Sequence, residues 1–164
     1  MPKKFEFTAV LDHPAGDVHA ALIDERYWRD RVAASPTATV RIENPRGPGT
    51  LRVVVTERTE PSDIPALVRS VVRGPMVLER TDEWGALGAD GATGLIAGAA
   101  TGIPVDFRGT SQLRPTTDGT VLDLHGEVTV KIPLLVGQIE GLAAKMIGQI
   151  IEKDRAALAS WLTR

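Results

Sequence analysis

The stretch PLLVGQIEGLAAKMIGQIIEKDRAALASWL, residues 133–162, decides how the rest of the chain is read. At 1.5 Å per residue it predicts a helix of about 45 Å, long enough to cross a whole domain. Ile139, Leu142, Met146, Ile150, Ala157 and Trp161 recur at spacings of three, four or seven, which lays one apolar stripe along its length. Gly137, Gly141, Ala144 and Gly148 add a strip of small side chains beside that stripe, so little of the circumference carries bulky polar groups. Such a helix has a face to bury, and the segments upstream supply a sheet to bury it against.

Glu140 is the anomaly on this helix. It falls near the angular position of Ile147, Ile151 and Leu158, whereas Gln138, Lys145, Gln149 and Glu152 share the opposite, polar arc. Two readings follow. Enclosed, its carboxylate would lose hydration and become a candidate ligand-orienting or proton-transferring group. At a first turn protruding past the sheet, it would be solvated and favourable near a helix N-terminus.

Working back from the helix, the chain reads mostly as strands. Phe5 to Asp12 alternates with period two and places Phe5, Phe7, Ala9 and Leu11 on one face. His13-Pro14 then marks a corner and a short helix carrying Val18, Ala21 and Leu22, after which Asp24 can cap a second helix over Glu25 to Ala33. Ala38 to Glu43 and Thr50 to Glu57 form a hairpin around the turn formers of residues 44–49. The apolar spacing of Leu67, Val68, Val71 and Val72 predicts a short helix between Ile64 and Arg73. Met76 to Trp84, Ala92 to Thr101, Val105 to Arg114 and Gly119 to Lys131 complete seven strands, with Asp118-Gly119 marking the last turn. Connections this short favour antiparallel pairing. One α+β domain spanning residues 1–164 is expected, a curved sheet clasping one helix.

Composition narrows the function. The chain has 164 residues, 43% of them hydrophobic and 24% charged, which is ordinary globular usage. Nineteen basic residues against 21 acidic ones give a net charge of −2, too little positive field for duplex nucleic acid or an anionic membrane. There is no cysteine, so disulfides, thiolate nucleophiles and thiolate metal sites are excluded. The polar start and the short, Gly- and Ala-rich run from Gly94 to Val105 show neither a signal peptide nor a spanning segment, so a cytoplasmic location is expected.

Glycine placement points to a hollow. Six of the 16 glycines, namely Gly85, Gly88, Gly91, Gly94, Gly98 and Gly102, fall within residues 85–102. The segment from Gly94 to Thr101 has mostly small side chains on both faces and leaves room beside the sheet. Gly109 and Gly126 interrupt strands, and glycine there marks a bend or the close approach of another group. Either way the sheet is concave.

The remaining polar clusters carry less chemistry. His125 lies between Asp123 and Glu127 on the polar face of the last strand, but that spacing fixes no metal geometry, and no metal site is assigned. His13 is expected at the helix entry and His19 on an exposed helix face. Arg26, Tyr27, Trp28, Arg29 and Arg31 form a basic and aromatic group that could stack on a nucleobase. Its acidic neighbours Asp24, Glu25 and Asp30 favour instead an amphipathic helix with Trp28 at a cavity mouth. Nucleophile triads, nucleotide-binding glycine fingerprints and the HExxH pattern are absent from the sequence.

The order of one strand, two short helices, six strands and one long helix resembles the helix-grip fold of the START and polyketide-cyclase-like superfamily, which includes the birch-pollen-allergen-like carriers. Within it the chain resembles an uncharacterised domain family. The resemblance rests on Phe5-Glu6-Phe7 leading to His13-Pro14, the Trp28 helix, Ile64-Pro65, Trp84 closing a strand, Pro104 to Leu113 with Gly109, and the run from Ile132 to Glu140. It implies an elongated apolar cavity between sheet and helix, commonly holding lipids, sterols, polyketides or hormones. The catalytic motifs of cyclase and dehydratase relatives find no residue-by-residue match, so no catalytic role is carried over.

The expected function is therefore binding or transport of a small hydrophobic molecule. Trp28, Trp84, Gly98, Phe107, Ile139, Ala143, Met146 and Ile150 would line the pocket, and Glu140 would orient the ligand. One alternative is a cyclase or dehydratase enzyme using Glu140 or another cavity carboxylate; a second is an interaction module whose cavity is filled by its own side chains. No cofactor, nucleic-acid partner or stable membrane insertion is expected, and the chain would act as a monomer or homodimer.

Overall fold

A computed structural model describes residues 2–60, 66–70, 72, 74–131 and 136–164. In chain order the elements are β1 (Lys3–Leu11), α1 (Ala15–Leu22), α2 (Glu25–Val32), β2 (Thr39–Glu43), β3 (Leu51–Thr59), α3 (Ala66–Arg69), β4 (Met76–Trp84), β5 (Ala92–Ala100), β6 (Val105–Thr116), β7 (Gly119–Val130) and α4 (Val136–Leu162). The seven strands form one sheet in the order β1-β7-β6-β5-β4-β3-β2, antiparallel at every step. This is the α+β helix-grip architecture expected from the sequence, a curved sheet closed by the long C-terminal helix.

Local chemistry explains the joints. The Asp24 side chain accepts a hydrogen bond from the Arg26 amide at 2.9 Å and starts α2. Asn44 donates to the Thr50 carbonyl at 2.9 Å across the β2–β3 turn, where Gly47 and Gly49 take φ of 86° and 84°. The helix expected between residues 64 and 73 is shorter: only Ala66–Arg69 is helical, Ser70 and Val72 have left it, and residues 64, 65, 71 and 73 lie outside the described residues. Its valines are poor helix formers, and Gly74 at φ 77° turns the chain into β4. Residues 133–135 of the C-terminal stretch also lie outside, so α4 is described from Val136.

Strand parity sets the inner face. Across the sheet the register aligns Val55, Arg80, Gly98, Phe107 and Val128 in one row, and Val53, Asp82, Ile96, Gly109, Gly126 and Phe5 in the next. Glycine makes these rows concave by seating rings: a Cβ on Gly98 would fall 2.1 Å from the Phe107 ring, and one on Gly126 would fall 2.4 Å from that of Phe5. The space at these glycines is filled by the protein's own aromatics.

Two apolar clusters divide the interior. One gathers Leu11, Val18, Tyr27, Trp28, Trp84, Leu113 and Leu158 under α1, α2 and the end of α4; the other gathers Phe5, Met76, Ile96, Ile103, Val128, Ile139 and Ile147 under its first half. The buried line of α4 runs through Ile147 and Leu158, while Met146 and Ile150 on the expected stripe are only half-buried. The small-residue strip splits: a Cβ on Gly148 would meet Phe7 at 3.1 Å, whereas Gly137 and Gly141 are exposed with open space around them. Among the described residues no helix is long and apolar enough to cross a membrane.

Candidate functional site

On β4 the inward parity that carries Met76, Leu78 and Trp84 also carries Arg80 and Asp82, so two charged side chains enter the interior between the two apolar clusters. On α4 the line Ile147, Ile151, Leu158 carries Asp154 in the same way. The three meet. Arg80 Nε and Nη2 donate to the two Asp82 oxygens at 2.7 and 2.9 Å, and Nη2 also lies 2.6 Å from Asp154 Oδ2. The other Asp154 oxygen accepts from Arg31 of α2. Two arginines and two aspartates thus form a charge-neutral network that ties α2, β4 and α4 together.

The surroundings of this network are aromatic. The Arg31 guanidinium carbon sits 5.9 Å from the Tyr27 ring centroid and 5.7 Å from that of Trp28, and Tyr27 packs edge-on against Trp28 and Trp161 at 5.2 and 5.7 Å. Burial pushes the Tyr27 phenol up to about 12, against the pull of Arg31. Burial raises the Asp82 carboxyl as well, with Arg80 opposing it. Burial also works against the Arg80 charge, but Asp82 and Asp154 more than offset it and hold the guanidinium above its ordinary range.

Two cavities flank the network. The smaller, about 90 Å³, is lined by Tyr27, Trp28, Arg31, Asp82, Trp84 and Asp154 among others. The larger, about 170 Å³, lies between β3–β6 and the first half of α4, with Gly98, Ile103, Phe107, Ile139, Ala143 and Ile150 in its wall. A space of this size can accept a single aromatic ring. Arg80 lines both.

The structure brings six of the sequence-derived pocket residues, Gly98, Phe107, Ile139, Ala143, Met146 and Ile150, around the larger cavity. Trp28 and Trp84 stand at the smaller one, where the Trp28 indole donates to the Leu22 carbonyl at 2.7 Å. Glu140 is buried, 7% exposed, yet lines neither cavity. His19 is not on an exposed face: it is 5% exposed, and its Nε2 lies 2.9 Å from the Gly85 carbonyl. Two turns of α1 pack onto the sheet, and its polar arc is too narrow to keep the imidazole in water. Tyr27 and Trp28 are likewise buried and unavailable for stacking on a base. His125 stays on the outer face with Nδ1 3.7 Å from Glu6, and Asp123 pairs with Arg114. Among the described residues no three metal-ligating side chains converge.

The Arg80 network is what the sequence analysis missed. Its signal was present in the strand period of β4 and in the three- and four-residue steps from Ile151 to Asp154 to Leu158.

The fold is the helix-grip architecture, a long C-terminal helix against a curved seven-stranded sheet, which is also seen in solved structures of distant sequence. The crystal structure of TTHA0849 from Thermus thermophilus is similar with a TM-score of 0.64 at 12% identity, covering 98% of this chain and 97% of that one. That of the Zhui aromatase/cyclase from Streptomyces sp. R1128 gives 0.59 at 18% identity, covering 100% and 95%. The chain belongs to the family described as protein of unknown function DUF2505, matched over residues 6–162. Uncharacterized protein Rv0481c of Mycobacterium tuberculosis (strain ATCC 25618 / H37Rv) is 28% identical over 171 residues, 99% of this chain and 98% of the relative.

Proposed function

We propose that this protein binds a small hydrophobic molecule in the cavity between α4 and the sheet. The observation that carries this reading is the space of about 170 Å³ itself, walled mainly by aliphatic side chains and the Phe107 ring. Burial of apolar ligand surface at about 25 cal/mol per Å² would supply most of the affinity. Native mass spectrometry of the purified protein, with displacement of a fluorescent apolar dye by fatty acids, sterols and aromatic polyketides, tests it. Retention of a bound molecule or dye displacement is expected; neither in any of these arms would remove the reading. The void also argues against an interaction module with a filled cavity.

A second reading is enzymatic, of the cyclase or dehydratase kind. It is favoured by Asp82, a buried carboxyl raised by its surroundings and set between Arg80 and the smaller cavity. Asp82→Asn separates the two readings, since turnover would fall by orders of magnitude while apolar binding would change little.

A further inference from the structure

Tyr27 is 2% exposed and, on α2, lines the smaller cavity. Arg31 is close enough to act on its phenol, but a guanidinium has no lone pair to offer the phenolic proton. Asp154 turns its two oxygens to Arg31 and Arg80 instead. Among the described residues the Tyr27 hydroxyl donates to no acceptor, and no polar side-chain atom is both shut off from accessible space and unpartnered. The hydroxyl therefore reaches the cavity, and burial keeps it protonated, a donor, well past neutral pH. A second hydroxyl comes from the sheet. The register aligns Trp84, Gly94, Ser111, Leu124 and Phe7 in one inward row, and Ser111 lines the same cavity. Among the described residues it too makes no side-chain hydrogen bond, whereas the lining of the larger cavity holds no hydroxyl side chain at all.

Size and charge decide what the two hydroxyls can take. The space of about 90 Å³ is too small for an aromatic ring, for which about 150 Å³ is needed, but holds a hydroxyl and a few carbons. Phe7, Ala9, Ile96, Leu122 and Leu124 give those carbons an apolar wall. Its charged lining is already balanced: Arg31 and Arg80 pair with Asp82 and Asp154, Arg155 pairs with Glu152, and Asp123 with Arg114. A charged ligand would add an uncompensated buried charge, and a neutral one would not. We infer that the smaller cavity is a separate binding site for a short uncharged alcohol: Tyr27 donates its phenolic proton to the alcohol oxygen, and Ser111 supplies the lone pair for the alcohol's own proton. The assignment stands apart from the larger cavity and does not rest on its having a ligand.

The test titrates four short probes, 1-propanol, 1-chloropropane, propionate and propylammonium, into the isotope-labelled full chain. Amide shifts at Ser111 and Leu124, with Gly98 and Ala143 unmoved, locate binding in the smaller cavity. 1-Propanol is expected to bind at least about 10-fold more tightly than either ion. Tyr27→Phe is expected to weaken 1-propanol about fivefold, the net worth of one hydrogen bond, and to leave 1-chloropropane, which has no hydroxyl, within about twofold. Ser111→Ala is expected to do the same, and it decides alone if Tyr27→Phe loses the native amide spectrum. Shifts confined to Gly98 and Ala143, no shift with 1-propanol, tighter binding of either ion, or variants that weaken alcohol and chloride alike overturn the assignment. Each of these leaves apolar binding in the larger cavity standing, since dye displacement and bound mass test that independently.

Discussion

Arg80 Nη2 lies 2.6 Å from Asp154 Oδ2, an ion pair that joins the middle of β4 to the second half of α4. Asp154 also holds Arg31, so one carboxylate anchors two guanidinium groups across the seam between the two apolar clusters. Removing one member of a buried pair costs more than the pair contributes, because the remaining charges stay desolvated. Asp154→Asn is expected to lower unfolding stability by about 3 kcal/mol in urea denaturation. An Arg31→Gln, Asp154→Asn cycle is expected to show coupling of about 1 kcal/mol or more. Additive behaviour of the two changes would mean that the network is not a unit.

Tyr27 is the one tyrosine of the chain, so phenolate absorbance reports on it alone. Its folded value is about 12 against an ordinary 10, with burial as the main cause. An acid raised in the folded state keeps its proton where the unfolded chain has lost it. The associated stability is fully present below pH 10 and is lost as pH rises from there towards 12, by about 2–3 kcal/mol in all. The phenolate transition is expected near 12 in buffer and near 10 in urea. Tyr27→Phe is expected to lack this part of the alkaline loss; a native transition at 10 would show the phenol to be solvated.

The two ring-seating glycines are expected to respond differently to a methyl group. On Gly98 the added carbon meets the Phe107 ring, which can swing towards the larger cavity, so Gly98→Ala is expected to cost about 1–2 kcal/mol and to weaken apolar binding. On Gly126 the same carbon meets the Arg108 carbonyl at 2.3 Å and Gly109 Cα at 2.9 Å as well as the Phe5 ring, and backbone cannot step aside. Gly126→Ala is expected to cost about 3 kcal/mol or more. Thermal unfolding of the pair decides it: equal losses would contradict the distinction.

These cases also show what was readable before the fold was known. Seven strands, the α2 cap and the long helix follow from period, turn chemistry and capping, all of which act within a few residues. The concavity was readable from glycine, but its occupants were not, since Gly98 meets Phe107 and Gly126 meets Phe5 only once β-register is set. Arg80, Asp82 and Asp154 each break a local apolar period. Their meeting depends on where α4 lies along β4, and no local rule contains that. His19 was misplaced because a short helix packed on the sheet buries more of its circumference than its polar residues suggest.

The size of the larger cavity sets the last expectation. Ala143 lies on its α4 wall, so Ala143→Leu projects three additional carbons into about 170 Å³. Where the space is empty, filling it gains apolar burial at little steric cost, and stability is expected to be unchanged or to rise by up to about 1.5 kcal/mol. Binding of a ring-sized probe is expected to weaken by at least about 10-fold, since displaced contacts of that order are worth a kilocalorie or more. Loss of stability without loss of binding would place the ligand elsewhere. A loss of binding without loss of stability is the result expected if the ligand occupies this space.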